Sequence, residues 1–350
     1  MIKILIDTSP LSNGNSHRGV GQYTKLLITE LEKISDLDVQ RTDKIPPPII
    51  TPDIIHFPFF DLFFPTLPLW RKAKTVVTIH DVIPLLHPAE YPVGKRGTLS
   101  FWRQKTALKT VACVITDSAA SAADIEKYLK VPAKKIQVIH LAANPALALV
   151  KPAQLKLTSE KFDLPDKYLL YVGDINYNKN LPQLIKALKF LPDDIQLVCV
   201  GKNFYPHDIP EWRWIETQIA LSNVTTRVRF ITNVLPADSV SLSAIYTGAI
   251  AYVQPSLSEG FGLPVLEAMI CQTPVIAANT SALVEVVGEA GILVEPEAED
   301  FAAAVTQVIG WSKAKRQTQL EKASKHAATF SWAKTAEATA KVYQQLVATG

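Results

Sequence analysis

Two carboxylates beside a run of glycines hold the densest chemistry in the chain. Residues 256–277 read SLSEGFGLPVLEAMICQTPVIA, with Glu259 among the glycines and Glu267 eight positions on. An apolar run of strand length and composition, Ala249 to Val253, precedes them. Gly260 and Gly262 read as a loop, and Pro264 suits the first position of a helix, where its missing N–H is no loss. Val265 to Cys271 is then the expected helix, and Pro274 bounds it. A strand, a glycine loop and a helix N-terminus together present several N–H groups to an anion. Glu259 in the loop and Glu267 about one turn into the helix can face the same cleft. The chemistry so described is anion binding beside two acids. Glycines that only turn the chain, with both acids solvated, would leave the same string, and anion loops of many kinds share it.

Other chemistry-bearing residues follow strand-like runs. Thr75 to Ile79 is β-branched and ends in His80-Asp81. Tyr168 to Val172 ends at Gly173, and the loop Asp174 to Asn180, which holds Asn178 and Lys179, leads to a helix beginning near Leu181-Pro182. Lys202 follows the run Leu197 to Gly201, and Ile231-Thr232-Asn233 follows Arg227 to Phe230. Gly19-x-Gly21 is a weak dinucleotide-loop hint, lacking a third glycine and standing far behind its strand. Cys113, Cys199 and Cys271 lie far apart in apolar runs and read as buried thiols of a reducing compartment. The seven histidines form no metal spacing with them.

The stretch from Glu259 to Ile276 resembles the signature of family-4 retaining glycosyltransferases of the GT-B fold, E-G-F-G-L-P-x-x-E-A-M-x-C-G-T-P-V-I, with Gln272 where that family usually has glycine. The resemblance implies that Glu259 lies against the donor sugar and that Glu267 holds the nucleotide ribose. It assigns the backbone of Gly260, Phe261, Gly262 and Leu263 to sugar and diphosphate. The Gly173-to-Asn180 loop is similar to the family's first phosphate-binding loop, in which Lys179 meets the diphosphate. The arginine common there is missing; Asn178 and Asp174 occupy the candidate positions, and Lys202 is the cation available to replace it. Thr232 stands where the family holds the base through backbone groups. Asn279 to Ser281 and Val284 to Gly288 match the segment under the ribose. The string T-I-H-D-V-I-P-L resembles the family's T-x-H-D segment, whose histidine reaches the donor sugar across the cleft; this assigns His80, with Asp81 orienting it or capping the next turn. Gly19 and Gly21 match a loop that faces the donor phosphates and the acceptor.

Positioning such residues takes repeated strand–helix alternation, which the chain shows twice. The expected fold is α/β, two doubly wound parallel-sheet domains facing a cleft, with ligands at the carboxyl ends of strands. Residues 1–150 form the acceptor-side domain, 151–330 the nucleotide-sugar domain, and a helix over 331–348, capped by Ser331, crosses back to the first. The first domain is expected to contain strands at Ile2–Asp7, Asp53–His56, Val111–Thr116 and Ile136–His140. Its helices are a basic-faced one over Lys95–Thr110 and one from a Ser121–Asp124 capping box to about Leu129. Pro46-Pro47-Pro48 reads as a stiff turn and Asn144–Leu164 as the linker. The aromatics from Phe57 to Trp70, beside Arg71 and Lys72, could dock on a membrane face or fill a core. Without an amphipathic period, the core reading leads.

At 350 residues and 48 % hydrophobic, the composition is that of a globular protein with one large or two ordinary domains. No apolar run approaches a membrane span, and Met1 to Asp7 reads as a strand rather than a signal peptide. Residues 1–150 hold 18 Lys/Arg against 13 Asp/Glu, and residues 151–350 hold 18 against 20. A mildly basic first half suits an anionic acceptor, and ordinary scatter would look the same. No basic run argues for nucleic acid. The resemblance implies a metal-independent retaining hexosyltransferase of polysaccharide biosynthesis. It would move a mannose- or glucose-type sugar from a nucleoside-diphosphate donor to a saccharide or lipid-linked acceptor, without a cofactor. The expected location is the cytoplasm, with peripheral contact at the inner membrane face through the first domain. Leu26, Leu27 and Leu31 sit at helical spacing, and Asp36-Leu37-Asp38, the acidic D-x-D string, is placed at the end of this first helix, far from the donor motifs. A nucleotide-sugar epimerase of the same architecture and a non-catalytic nucleotide-sugar binder are the competing readings.

Overall fold

The computed structural model describes residues 1–12, 14, 19–43, 51–235 and 238–349. The polar stretch Ser12–Arg18 and the expected turn at Pro46-Pro47-Pro48 therefore fall largely or wholly outside the described residues. The chain divides into unit 1, Met1–Leu141 with Phe330–Gly350, and unit 2, Ala142–Thr329. The division lies before the expected boundary at residue 150, and the last helix, Trp332–Ala348, belongs to unit 1. Ser331 caps that helix by accepting the Lys334 N–H at 3.2 Å.

Unit 1 is a six-stranded parallel sheet in the order β2-β1-β3-β4-β5-β6. The strands are β1 Ile2–Asp7, β2 Leu37–Thr42, β3 Ile54–Phe57, β4 Lys74–Thr78, β5 Cys113–Thr116 and β6 Ile136–Val138. β3, β4 and β5 are almost wholly buried, as strands covered on both faces must be. Their core side chains include Ile55, Phe57, Val77 and Val114, with Phe60, Leu62 and Leu67 added from the aromatic segment. That segment is thus mainly core, but Phe64 and Trp70 stand out from it exposed. The Trp332–Ala348 helix is pinned by a buried polar chain. The Tyr343 hydroxyl meets His56 Nδ1 at 2.6 Å, His56 Nε2 meets Thr78 Oγ1 at 2.9 Å, and Thr78 meets the Tyr23 hydroxyl at 3.0 Å. Burial pushes the His56 pKa down to about 3, so the ring is neutral and one nitrogen must accept.

Unit 2 is a second six-stranded parallel sheet, in the order β12-β11-β10-β7-β8-β9. Its strands are β7 Tyr168–Val172, β8 Gln196–Val200, β9 Val228–Ile231, β10 Ala251–Gln254, β11 Val275–Ala278 and β12 Ile292–Val294. The order reverses at the β7/β10 pair, and a doubly wound sheet opens a crevice outside the carboxyl ends of the strands at such a point.

Several local expectations need correction. Gly19 and Gly21 are not in a loop; they lie in the first turn of the Gly19–Leu31 helix, where Gly21 is buried. Asp38 lies in β2, a strand at the sheet edge, beyond the end of that helix. The expected linker contains a helix, Pro152–Phe162. The cap near residue 120 is Ser118, which accepts the Ser121 N–H at 3.0 Å, and the helix it starts runs to Asp124 and on through a π-turn to Leu129. Ser121 instead donates to the His80 carbonyl at 3.0 Å.

Candidate active site

The Glu259 region sits at the β7/β10 reversal. β10 is buried and apolar except for side chains on one face: Tyr252 and Gln254, continued by Ser256 just beyond. Alternation along an extended chain puts these three on one side. The Tyr252 hydroxyl donates to Gln254 Oε1. Gln254 Nε2 then donates to Glu259 Oε1 at 2.8 Å, and Ser256 Oγ donates to the same oxygen at 2.6 Å. Lys179 Nζ donates to both Glu259 oxygens, at 2.8 and 2.9 Å. The Glu259 N–H goes to Ser281 Oγ at 2.8 Å. Ser281 has φ +42° at the start of the Ser281–Val287 helix, a left-handed backbone that serine adopts only at a cost.

Lys179 closes a short 3₁₀ turn, Tyr177–Lys179, that follows β7. The turn is laced to the loop after β10 on each side of the lysine. Asn178 Nδ2 donates to the Ser258 carbonyl at 2.8 Å and the Asn178 carbonyl accepts the Leu257 N–H at 2.8 Å. Asn180 Nδ2 donates to the Pro255 and Pro296 carbonyls, both at 3.1 Å. Asn178 is buried, so the expectation that it contacts donor gives way to a scaffold role, holding the two loops in register. Asp174, placed where a phosphate would be repelled, is engaged by Asn203 Nδ2 at 3.0 Å. Lys202 is exposed just past β8, and Thr232 is exposed just past β9. A Cβ on Gly201 would lie 2.1 Å from the Gly173 carbonyl, so the ends of β7 and β8 approach as closely as they do only because residue 201 is glycine.

The loop ends in Gly262, φ +103°, which starts the Leu263–Ile270 helix. Leu263 takes the first helical position, so Pro264 is second and the helix begins earlier than expected. The Phe261 side chain is buried. Glu267, in this helix, accepts from the fully buried Tyr246 hydroxyl at 3.0 Å. Burial pushes its pKa up to about 6, against the pull of the Tyr246 hydrogen bond. The helix closes with the Thr273 N–H on the Ala268 carbonyl at 2.9 Å and the Gln272 N–H on the Met269 carbonyl at 3.1 Å. This is a Schellman pattern with Gln272 at φ +55°, the position where glycine is usual.

Unit 1 has its own hydrogen-bonded pair of titratable side chains past the ends of β4 and β5. His80 Nδ1 lies 2.7 Å from Asp117 Oδ2, and His80 Nε2 lies 3.2 Å from the Pro58 carbonyl. The Tyr23 ring meets the His80 ring edge-on at 4.8 Å. A carbonyl can only accept, so Nε2 carries a proton. Burial works against a second proton, but the Asp117 carboxylate overcomes it and raises the His80 pKa. Asp81 is not the orienting acid; its Oδ1 accepts the Ile83 N–H at 3.0 Å and caps the turn. Asp117 follows β5 as His80 follows β4, and strand-end acids facing strand-end histidines could have suggested it. The polar alternation Tyr252, Gln254, Ser256 in an otherwise apolar run was the signal for the Glu259 partners.

Residues 155–327 match the family model described as glycosyl transferases group 1, and residues 44–147 match glycosyltransferase family 4. Together they span most of both units. This chain belongs to the group 1 glycosyltransferases. Among relatives of this family, the O-antigen chain mannosyltransferase B of Escherichia coli is 28 % identical over 281 residues, 79 % of this chain and 71 % of that one. The serotype-specific mannosyltransferase WbdA of Escherichia coli is 28 % identical over 314 residues, 85 % of this chain. The chain spans only 37 % of WbdA's length. The solved structure of Alr3699/HepE from Anabaena in complex with UDP-glucose superposes with a TM-score of 0.75 at 17 % identity, covering 99 % of this chain and 100 % of that one. The likeness shows the fold: two six-stranded parallel sheets with flanking helices, the GT-B class.

Proposed function

We propose that this group 1 glycosyltransferase moves a mannose- or glucose-type hexose, with retention, from a nucleoside-diphosphate sugar to a hydroxyl of a saccharide or lipid-linked acceptor. The observation that carries the reading is the Lys179–Glu259 pair at the β7/β10 reversal, beside the Gly262 helix start. Lys179 is the cation an incoming diphosphate would recruit, exchanging one anionic partner for another. The N-terminus of the Leu263–Ile270 helix adds its N–H groups and dipole, stabilising charge on the leaving diphosphate. Glu259, fixed by Gln254 and Ser256, shapes and polarises the sugar site and need not attack it. The donor phosphate then takes the acceptor proton as the new bond forms on the same face. Glu267 holds the ribose, its carboxylate oriented by Tyr246, and the backbone at Thr232 holds the base. Lys202 supplies a second cation to the diphosphate. The names of the mannosyltransferase relatives support transfer over the epimerase and non-catalytic readings. Neither a metal nor a cofactor is assigned a step.

Peripheral contact of unit 1 with the cytoplasmic membrane face belongs to the same proposal. Among the described residues no helix is long and apolar enough to cross a membrane. The test is a thermal-shift panel of GDP, UDP and ADP, followed by transfer from the matching sugar nucleotides in excess chelator. One nucleotide at 100 times its Kd is expected to add roughly 2.7 kcal/mol of stability. Turnover that disappears in EDTA and returns with Mn²⁺ would overturn the metal-free mechanism. Binding without transfer or donor hydrolysis would overturn the enzyme.

A further inference from the structure

Unit 1 carries an exposed apolar surface that none of the chemistry above uses. Trp70 is 92 % exposed, Leu99 74 %, Phe64 69 % and Trp102 60 %. Leu99 and Trp102 belong to the Lys95–Leu108 helix, whose opposite face buries Gln104, Ala107 and Leu108. Spacings of three and four residues place Lys95, Leu99, Trp102 and Thr106 along one outward line, with Arg96 and Arg103 beside it. Phe64 and Trp70 come from the segment laced along this helix. Gln104 accepts the Leu67 N–H at 2.9 Å and donates to the Leu67 carbonyl at 3.0 Å, and Arg71 donates to the Ala107 carbonyl at 2.9 Å. Leu69, Trp70 and Arg71 share a depression of about 390 Å³ with Thr106 and Thr110, which joins Trp70 to the end of the helix face.

The charge on the helix that carries Leu99 and Trp102 has one sign. The helix contains Lys95, Arg96, Arg103 and Lys105 and no acid, with Lys72 and Lys109 close in sequence to either part of the surface. The Asp61 carboxylate is turned to the backbone, accepting the Phe63 and Phe64 N–H groups at 2.8 and 3.0 Å. Among the described residues Lys72, Lys95, Arg96, Arg103 and Lys109 have no ion-pair partner within 4.0 Å.

We infer that this face, Phe64, Trp70, Leu99 and Trp102 set among Lys95, Arg96 and Arg103, docks on an anionic lipid bilayer. The inference rests on the peripheral contact proposed above and names the surface that makes it. Tryptophan rings sit at the headgroup level, where one side of the ring is apolar and the other wet. Unpaired lysines and arginines beside them are drawn to anionic headgroups. A second copy of the chain is a poor occupant, because two such faces would oppose like charges.

The experiment is co-flotation of the full chain with vesicles of phosphatidylcholine, alone or mixed with phosphatidylglycerol. The expected result is binding to the mixed vesicles, weakened by salt, and little binding to the neutral ones. Arg96→Gln with Arg103→Gln should lower the partition at least tenfold, at roughly fivefold per charge. Trp70→Ser with Trp102→Ser should lower it as well, and should remove the blue shift of tryptophan emission on vesicle addition. Both variants should keep the wild-type melting temperature and its nucleotide shift, because unit 2 is untouched. Equal binding to neutral vesicles, no binding to either kind, or variants that float like wild type would overturn the inference. So would self-association that the tryptophan variant abolishes, which would assign the face to a second copy. Vesicle binding by a chain that shows no nucleotide shift would instead sink the transferase reading and leave the surface standing.

Discussion

The two units share a plan, a parallel sheet with charged side chains just past the carboxyl ends of its strands, and use it in opposite senses. In unit 2, donors converge on an acid: Lys179, Gln254 and Ser256 all point at Glu259. In unit 1, acceptors converge on a base: Asp117 and the Pro58 carbonyl take the two ring nitrogens of His80. In the first, Lys179 donates to both oxygens of one carboxylate, an anionic partner for which an anionic ligand would compete. The second keeps a proton on an imidazole in a buried place. The first surrounds an acid with donors, and the second raises the proton affinity of a buried imidazole.

The largest expected effect tests the unit 2 side. Glu259→Ala should abolish transfer, while nucleotide binding survives or tightens because Lys179 is set free for the diphosphate. Calorimetry with the preferred nucleotide decides it, and a large loss of nucleotide affinity would show that Glu259 serves binding instead. Next comes the unit 1 pair. His80→Ala should lower kcat about 10²-fold with little change in nucleotide affinity. Asp117→Asn should lower it less, and should move the limb of the pH profile that belongs to His80 to lower pH, since that carboxylate is what raises the histidine pKa. Wild-type turnover in both variants would reduce the pair to a structural contact.

The third test concerns the second acid of unit 2. Glu267 has a folded-state pKa of about 6, above the ordinary 4.5, so folding favours its protonated form. Its stabilising contribution is complete below pH 4.5 and is lost as pH rises through about 6. Glu267→Gln keeps an acceptor for Tyr246 and should gain about 1–2 kcal/mol relative to wild type between pH 4 and pH 7. Parallel urea curves at the two pH values would refute the burial argument. The smallest effect is at Gln272. Relief of its left-handed strain, offset by glycine's larger unfolded entropy, should make Gln272→Gly more stable by about 0.5–1 kcal/mol with unchanged activity.

Much of unit 2 was legible because its signals are local. Tyr168–Val172 has the bounds its apolar run suggested, and Gln272, where the resembled signature has glycine, is left-handed at φ +55°. The edge strand β2 was missed because its polar side chains show no clean alternation. The Lys313–Ala327 helix was missed because only Ala323 and Ala327 are buried, which leaves no apolar stripe to read. The Ser118 cap was passed over for Ser121 because Ser121 has an acid, Asp124, three residues on, whereas Ser118 has a serine there.

By itself the sequence determined what short-range physics and a long motif can carry: two rounds of strand and helix, the glycine loop with its two acids, and a lysine in the loop after Tyr168–Val172. Only the tertiary structure decided the partners. Glu259 is paired with Lys179 across 80 residues of chain, His80 with Asp117 across 37, and Tyr246 with Glu267 across 21. Asn178, a donor contact by position, became a buried strut because the loop after β10 lies against it. The reason is the same in each case. Propensity and periodicity act over a few residues, whereas the partner of a buried charge is set by which strand ends the sheet order brings side by side.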